Sequence, residues 1–178
     1  MSSTINGDSA AALSELLARQ AIYHCVVSFG RGMDRLDPDL ILAAFHPDAD
    51  INYPMFAGTP QEMVDWAIPA HRAGYRGTSH TVTNHFVDFR GDSAYAETLV
   101  ASYMQPLDVE QPVGVYGGRY IDRFELRDGR WAISKRQMVI TYTGVLPPQV
   151  HDDFWQILFS NAEGVSRDRS DLSYRRDV

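Results

Sequence analysis

At 178 residues, with 44% apolar and 11% aromatic content, the chain is long enough to bury one sizeable core and too short for two. A formal net charge of −7, from 16 Lys and Arg against 23 Asp and Glu, leaves no electrostatic footprint for nucleic acid or an anionic membrane and suits a small neutral or apolar ligand. No apolar run reaches the ~18 residues of a membrane span, and the single cysteine, Cys25, sits in an apolar helical pattern where it can form no internal disulfide. A soluble, cytoplasmic protein with no nucleic-acid or membrane partner is expected.

Residues 1–9 read as a disordered leader. From Ala10, the spacing of Leu13, Leu16, Leu17, Ala21, Cys25 and Val26 predicts a helix to about Met33, with Asp34 at its C-terminal end. A carboxylate there opposes the helix dipole at a cost of roughly 0.3–1 kcal/mol if exposed, so the position invites a functional reason. Counting back by helical steps puts Tyr23 on the face of Asp34, a face that would look into a cavity. Asp37-Pro38 starts a short helix that His46-Pro47 ends, and Asp50 to Tyr53 reads as a strand. Thr59-Pro60-Gln61-Glu62 opens a third helix, bent or broken at Pro69. From Thr78 the period changes to two, giving strands 78–90, 93–105, 113–127 and 130–143, the last pair joined by Asp128-Gly129. The order is α+β, a curved, mostly antiparallel sheet wrapped around N-terminal helices. The domain is expected over 10–146. An extension over 147–178 would carry a short apolar helix, Asp152 to Asn161, covering a pocket or an interface, and then a loose polar tail.

The stretch with most chemistry is Gly77 to Gly91, GTSHTVTNHFVDFRG. Strict alternation puts His80 and Asn84 on one face and His85, Val87 and Phe89 on the other. A neutral imidazole is a natural base near neutral pH, and an Asp on its other nitrogen fixes the tautomer. His80 as base and Asp34 as its orienting group make one reading; a satisfied structural histidine and a turn-capping aspartate make the other. His24, His46, His71 and His151 have no metal-ligand spacing, so no metal is expected. A Gly-x-Ser-x-Gly elbow, a phosphate loop and a dinucleotide fingerprint are all missing from the sequence, and no cofactor is expected. Aromatic and apolar residues that a concave sheet would bring to a cavity include Phe29, Met55, Phe56, Trp66 and Met138, with Tyr23, Tyr53 and Tyr120 as polar groups.

The joint order of Met33-Asp34, Asp50-Ile51-Asn52-Tyr53, Thr78-Ser79-His80, Gly117-Gly118-Arg119-Tyr120 and Arg127-Asp128-Gly129-Arg130-Trp131 resembles the nuclear-transport-factor-2-like superfamily. Within it the chain is most similar to the SnoaL-like group that includes scytalone dehydratase, bile-acid 7α-dehydratase and hexachlorocyclohexane dehydrochlorinase. The resemblance implies a cone-shaped α+β barrel and a cofactor-independent lyase with an Asp34–His80 dyad and Tyr53 as a catalytic hydroxyl. It implies loss of water first, with loss of halide, or of formaldehyde from an aryl-propanoid diol, as variants, and a homotrimer or homodimer. A non-catalytic binding module, or an isomerase or polyketide cyclase, is the alternative. Two departures stand out: Ser102-Tyr103-Met104 lacks the second histidine of scytalone dehydratase, and Phe29 stands where the bile-acid enzyme has tyrosine.

Overall fold

A computed structural model gives the fold over residues 7–147 and 166–175. The elements are α1 (Gly7–Arg35), α2 (Pro38–Ala43), β1 (Phe45–Tyr53), β2 (Phe56–Gly58) and α3 (Pro60–Gly74). Four long strands follow: β3 (Tyr75–Arg90), β4 (Ser93–Pro106), β5 (Val113–Arg127) and β6 (Arg130–Leu146). They form one six-stranded sheet in the order β2-β1-β6-β5-β4-β3, antiparallel except where β1 runs parallel to β6. The α+β architecture predicted from the change of period is the one observed.

Local chemistry sets the boundaries. Asp37 caps α2 by accepting from the backbone N–H groups of Asp39 and Leu40. Thr59 and Glu62 form a reciprocal capping box ahead of Pro60 at the start of α3. Asp128 and Gly129 both take positive φ, 51° and 76°, as a two-residue hairpin demands. α1 buries Ile22, Val26, Phe29 and Met33 against the sheet and shares one core with Phe45, Met63, Phe124 and Ile133. Phe29, Met63, Ala67, Tyr120 and Met138 belong to this core and also line a cavity between the helices and the sheet.

Four expectations need correcting. β1 begins at Phe45 and takes His46-Pro47 into the strand; Pro47 falls in the register break between the Phe45 and Asp50 pairings with β6, where a missing N–H is tolerated. α3 runs through Pro69 without ending, so of the bend or break expected there the break does not occur. The register of β3 against β4 shifts between Val82 and His85, and a bulge of that kind turns every later side chain to the opposite face. His85, Val87 and Phe89 therefore face the core with His80, and His85 bonds the buried Thr98 hydroxyl at 2.8 Å. The convex surface instead carries Phe86, Tyr95, Leu99 and Tyr103. Finally, part of the polar tail is fastened: residues 166–175 turn through a short 3-10 segment, Leu172–Tyr174, and pack on α1 and α2. The predicted helix Asp152 to Asn161 lies outside the described residues.

Candidate active site

Asp34 occupies the last turn of α1, after which the chain reverses through Leu36 in the left-handed region at φ 51°. That reversal lays the carboxylate against the start of β3. Asp34 Oδ1 stands 2.7 Å from His80 Nδ1 and accepts from the Thr78 hydroxyl at 3.0 Å, while Oδ2 accepts from the His80 backbone N–H at 2.9 Å. A carboxylate only accepts, so the network assigns the imidazole proton to Nδ1 and leaves the Nε2 lone pair free. The His80 side chain is 3% exposed and its ring lines a recessed cavity.

The cavity is a small recess of about 50 Å³, walled mainly by apolar and aromatic side chains. Of the candidate residues, Phe29, Tyr53, Met55, Trp66, Tyr120 and Met138 line it with His80. Three do not. Asn84 lies in the bulge of β3 and is exposed. Tyr23 does share a helix face with Asp34, but that face meets β3: Tyr23 packs its ring 5.4 Å from His85 and is 37% exposed. Phe56 stands behind the wall, stacked on Trp66 at 5.3 Å.

Several residues at the site were not singled out from sequence. His71 of α3 lines the cavity with His80, and its buried Nδ1 has no hydrogen-bond partner. Burial, helped by the charges of His80 and Arg167, pushes its pKa down to about 4, so the ring is neutral at ordinary pH. The signal was in the sequence: Met63, Ala67 and His71 are four residues apart and share one helix face. Tyr116 lines the same space. Deeper in the cone, Arg136 and Asp122 form a fully buried bidentate pair with both contacts at 2.7 Å. The guanidinium lies 4.0 Å from the Tyr120 ring centre and 4.7 Å from that of Phe29. Among the described residues neither Arg136 Nη1 nor the nearby Tyr53 hydroxyl has a well-aligned hydrogen-bond partner. Burial raises the Tyr53 pKa to about 12 against the opposing Arg136 charge, so it is a hydroxyl donor and not a phenolate. Alternation in β6 put Arg136 on the inward face with Met138 and Ile140, another readable signal.

His46 is structural: its Nε2 lies 2.9 Å from the Glu125 carbonyl. Among the described residues no cluster of three or more His, Cys, Asp or Glu side chains is placed to hold a metal, and no helix is long and apolar enough to cross a membrane.

Comparison with known proteins adds the family. A scytalone dehydratase candidate from Novosphingobium aromaticivorans superposes with TM-score 0.67 at 23% identity, covering 80% of this chain and 99% of the other. A type 2 hexachlorocyclohexane dehydrochlorinase superposes with TM-score 0.69 at 18% identity over 79% and 97% of the two chains. A type 3 dehydrochlorinase from Novosphingobium barchaimii gives TM-score 0.67 at 18% identity over 76% and 94%. At these identities the likeness speaks for the fold. No curated protein matches the sequence. The SnoaL-like domain profile matches residues 14–137, which takes in Asp34, Tyr53, His71, His80 and Arg136, and the chain belongs to the SnoaL-like family.

Proposed function

We propose that the protein is a cofactor-independent lyase in which His80, oriented by Asp34, removes a proton from a hydrophobic aromatic or alicyclic substrate. One observation carries the reading: an imidazole held at Nδ1 by the Asp34 carboxylate lines an apolar cavity. His80 Nε2 takes a proton from carbon beside a carbonyl or aryl group. The C–H electron pair becomes the new double bond as the leaving group departs, and a departing hydroxide takes the proton held by the His80 imidazolium and leaves as water, which returns the base to its neutral form. Asp34 stabilises the imidazolium while it lasts. The neutral His71 ring and the Tyr53 hydroxyl are placed to hold the substrate oxygen by hydrogen bonds, in the manner of a neutral imidazole that polarises a carbonyl.

The cavity walls support a hydrophobic substrate. Beyond Met55, Trp66, His71 and Tyr116 lies an outer hollow whose described walls include Tyr75 and Met104 and no charged side chain. An uncharged molecule longer than one ring would fill both spaces. Loss of formaldehyde from an aryl-propanoid diol would use the same base on a hydroxyl proton, and an isomerase or cyclase would share the first step without expelling a group. The apolar convex face of Phe86, Tyr95, Leu99 and Tyr103 suits burial by a second copy in a homo-oligomer.

The test is a mass-spectrometric time course on aryl and alicyclic β-hydroxy ketones and 1-aryl-1,3-diols. Wild type should release water or formaldehyde from at least one class, and His80→Ala should not. Equal turnover by His80→Ala would remove the dyad from the mechanism.

A further inference from the structure

Arg167 lies outside the part of the chain that defines the family domain, yet it reaches the back of the dyad. Its Nε donates to the Asp34 carbonyl at 3.2 Å, and Nη1 to the carbonyls of His71 at 3.2 Å and Tyr75 at 2.9 Å. Nη2 donates to the Met33 carbonyl at 3.4 Å and to the Thr78 hydroxyl at 3.0 Å. Thr78 then gives its own proton to Asp34 Oδ1. One half-buried guanidinium thus closes the C-terminal ends of both α1 and α3, where helix dipoles are negative and carbonyls lack partners. It also fixes which way the Thr78 hydroxyl points, since an oxygen accepting from Arg167 is left to donate toward the carboxylate.

The segment bearing Arg167 is itself anchored. The Tyr174 hydroxyl donates to Asp37 Oδ2 at 2.7 Å, Arg31 stacks on the Tyr174 ring at 4.7 Å, and Arg169 bridges Asp37 and Asp39. Buried Asp171 accepts from the backbone of Ser166 and Ser173 and stands 3.2 Å from Arg35 Nε, an ion contact without hydrogen-bond alignment. The unfavourable carboxylate at the end of α1 therefore has a cation at the same helix end, supplied from 133 residues further along the chain.

We infer that Arg167 is a positioning residue of the site: through Thr78 and the ends of α1 and α3 it sets the Asp34–His80 contact and fixes His71 opposite. The inference rests on the dyad reading for its catalytic consequence, and on geometry alone for its effect on His80. Arg35 and Arg72 are the other cations near this guanidinium, and Asp34 and His71 are the titratable groups it faces.

The test uses the full chain with Arg167→Gln, Arg167→Lys, Thr78→Val and Arg169→Gln. Two readouts are taken: the His80 imidazole titration by NMR, and the rate at which the α-protons of 2-tetralone, a bicyclic ketone used as probe, exchange with deuterated solvent. Removing a cation or a donor behind Asp34 strengthens its pull on the imidazolium, so Arg167→Gln and Thr78→Val should move the His80 titration measurably to higher pH. Exchange in Arg167→Gln should fall roughly tenfold, as small misplacements of a base do. Arg167→Lys should restore the titration but not the rate, since an ammonium keeps the charge and lacks the fork. Arg169→Gln removes one exposed anchor of the same segment while the Tyr174–Asp37 and Arg31–Tyr174 contacts still hold it, and should leave both readouts unchanged. The inference is overturned if Arg167→Gln titrates like wild type, or if Arg169→Gln moves His80 as far. Should Arg167→Gln not fold, an unmoved His80 in Thr78→Val overturns it. Failure of the dyad reading is a separate result: wild-type exchange in His80→Ala, with the titration shifts still present.

Discussion

Gly30 of α1 lies beneath His80 of β3 so closely that a Cβ added there would stand 3.2 Å from the His80 Cβ. The contact sets the spacing between helix and strand at the point where the dyad forms, with the Asp34 carboxylate one helical turn further on. Gly30→Ala should therefore leave overall stability nearly unchanged, because alanine regains up to ~1 kcal/mol of helix propensity while the strand is pushed outward. Turnover should fall by roughly tenfold or more. Paired melting curves and rate measurements check it; full activity would mean that the helix and strand can separate without disturbing the base.

The Tyr53 hydroxyl is buried and unpartnered, which is an unusual arrangement for a residue kept only for packing. Tyr53→Phe keeps the ring stacked near Tyr120 and removes the orphan oxygen. Stability should stay the same or rise by up to ~1 kcal/mol, while turnover falls. Urea titration beside a rate measurement separates the two effects. A loss of stability with unchanged turnover would make Tyr53 structural.

His71 imposes a pH dependence with a definite sign. Its pKa is about 4 in the folded protein against an ordinary 6.5, so between those values the unfolded chain holds the extra proton and folding must release it. Stability is expected to fall as pH drops from 6.5 toward 4 and to flatten below that, where any further loss belongs to carboxylates such as Asp37. Burial depresses His85 as well, with the same sign. The diagnostic is the difference between wild type and His71→Asn: the variant should lose part of the slope in that window. Identical slopes would place the neutral ring outside the folding equilibrium.

Arg136 and Asp122 are both fully buried and bonded only to each other through two contacts. Asp122→Asn leaves a guanidinium without a counter-charge and should cost ~3–5 kcal/mol. Replacing both partners, Asp122→Leu with Arg136→Met, should recover most of that loss in chemical denaturation while abolishing turnover if the cation serves the site.

The fold was readable because its signals are local. Hairpin chemistry at Asp128-Gly129, the capping box at Thr59-Pro60-Gln61-Glu62 and sustained alternation after Thr78 each depend on neighbouring residues. The Asp34–His80 contact was legible for a different reason: Asp34 stands where a helix end resists a carboxylate, and the family resemblance pairs that position with His80; its catalytic role is the proposal. The bulge between Val82 and His85 was not readable, because no glycine or proline marks it, and it misdirected the placement of Asn84 and His85. Tyr23 was assigned to the correct helix face, but which wall that face meets is a tertiary fact. Arg167 contacts Asp34 across 133 residues, and no local pattern announces such a pairing.

The central claim is that His80 is a base held ready by Asp34, independent of what leaves the substrate. The exchange of 2-tetralone α-protons for deuterium, followed by proton NMR with wild type, His80→Ala and Asp34→Asn, isolates proton removal from any leaving group. Wild type should accelerate exchange over buffer, His80→Ala should return it to the buffer rate, and Asp34→Asn should lose roughly 10²- to 10⁴-fold by destabilising the Nδ1–H tautomer and the imidazolium. Exchange at the buffer rate in wild type, or equal acceleration in all three proteins, would contradict the assignment.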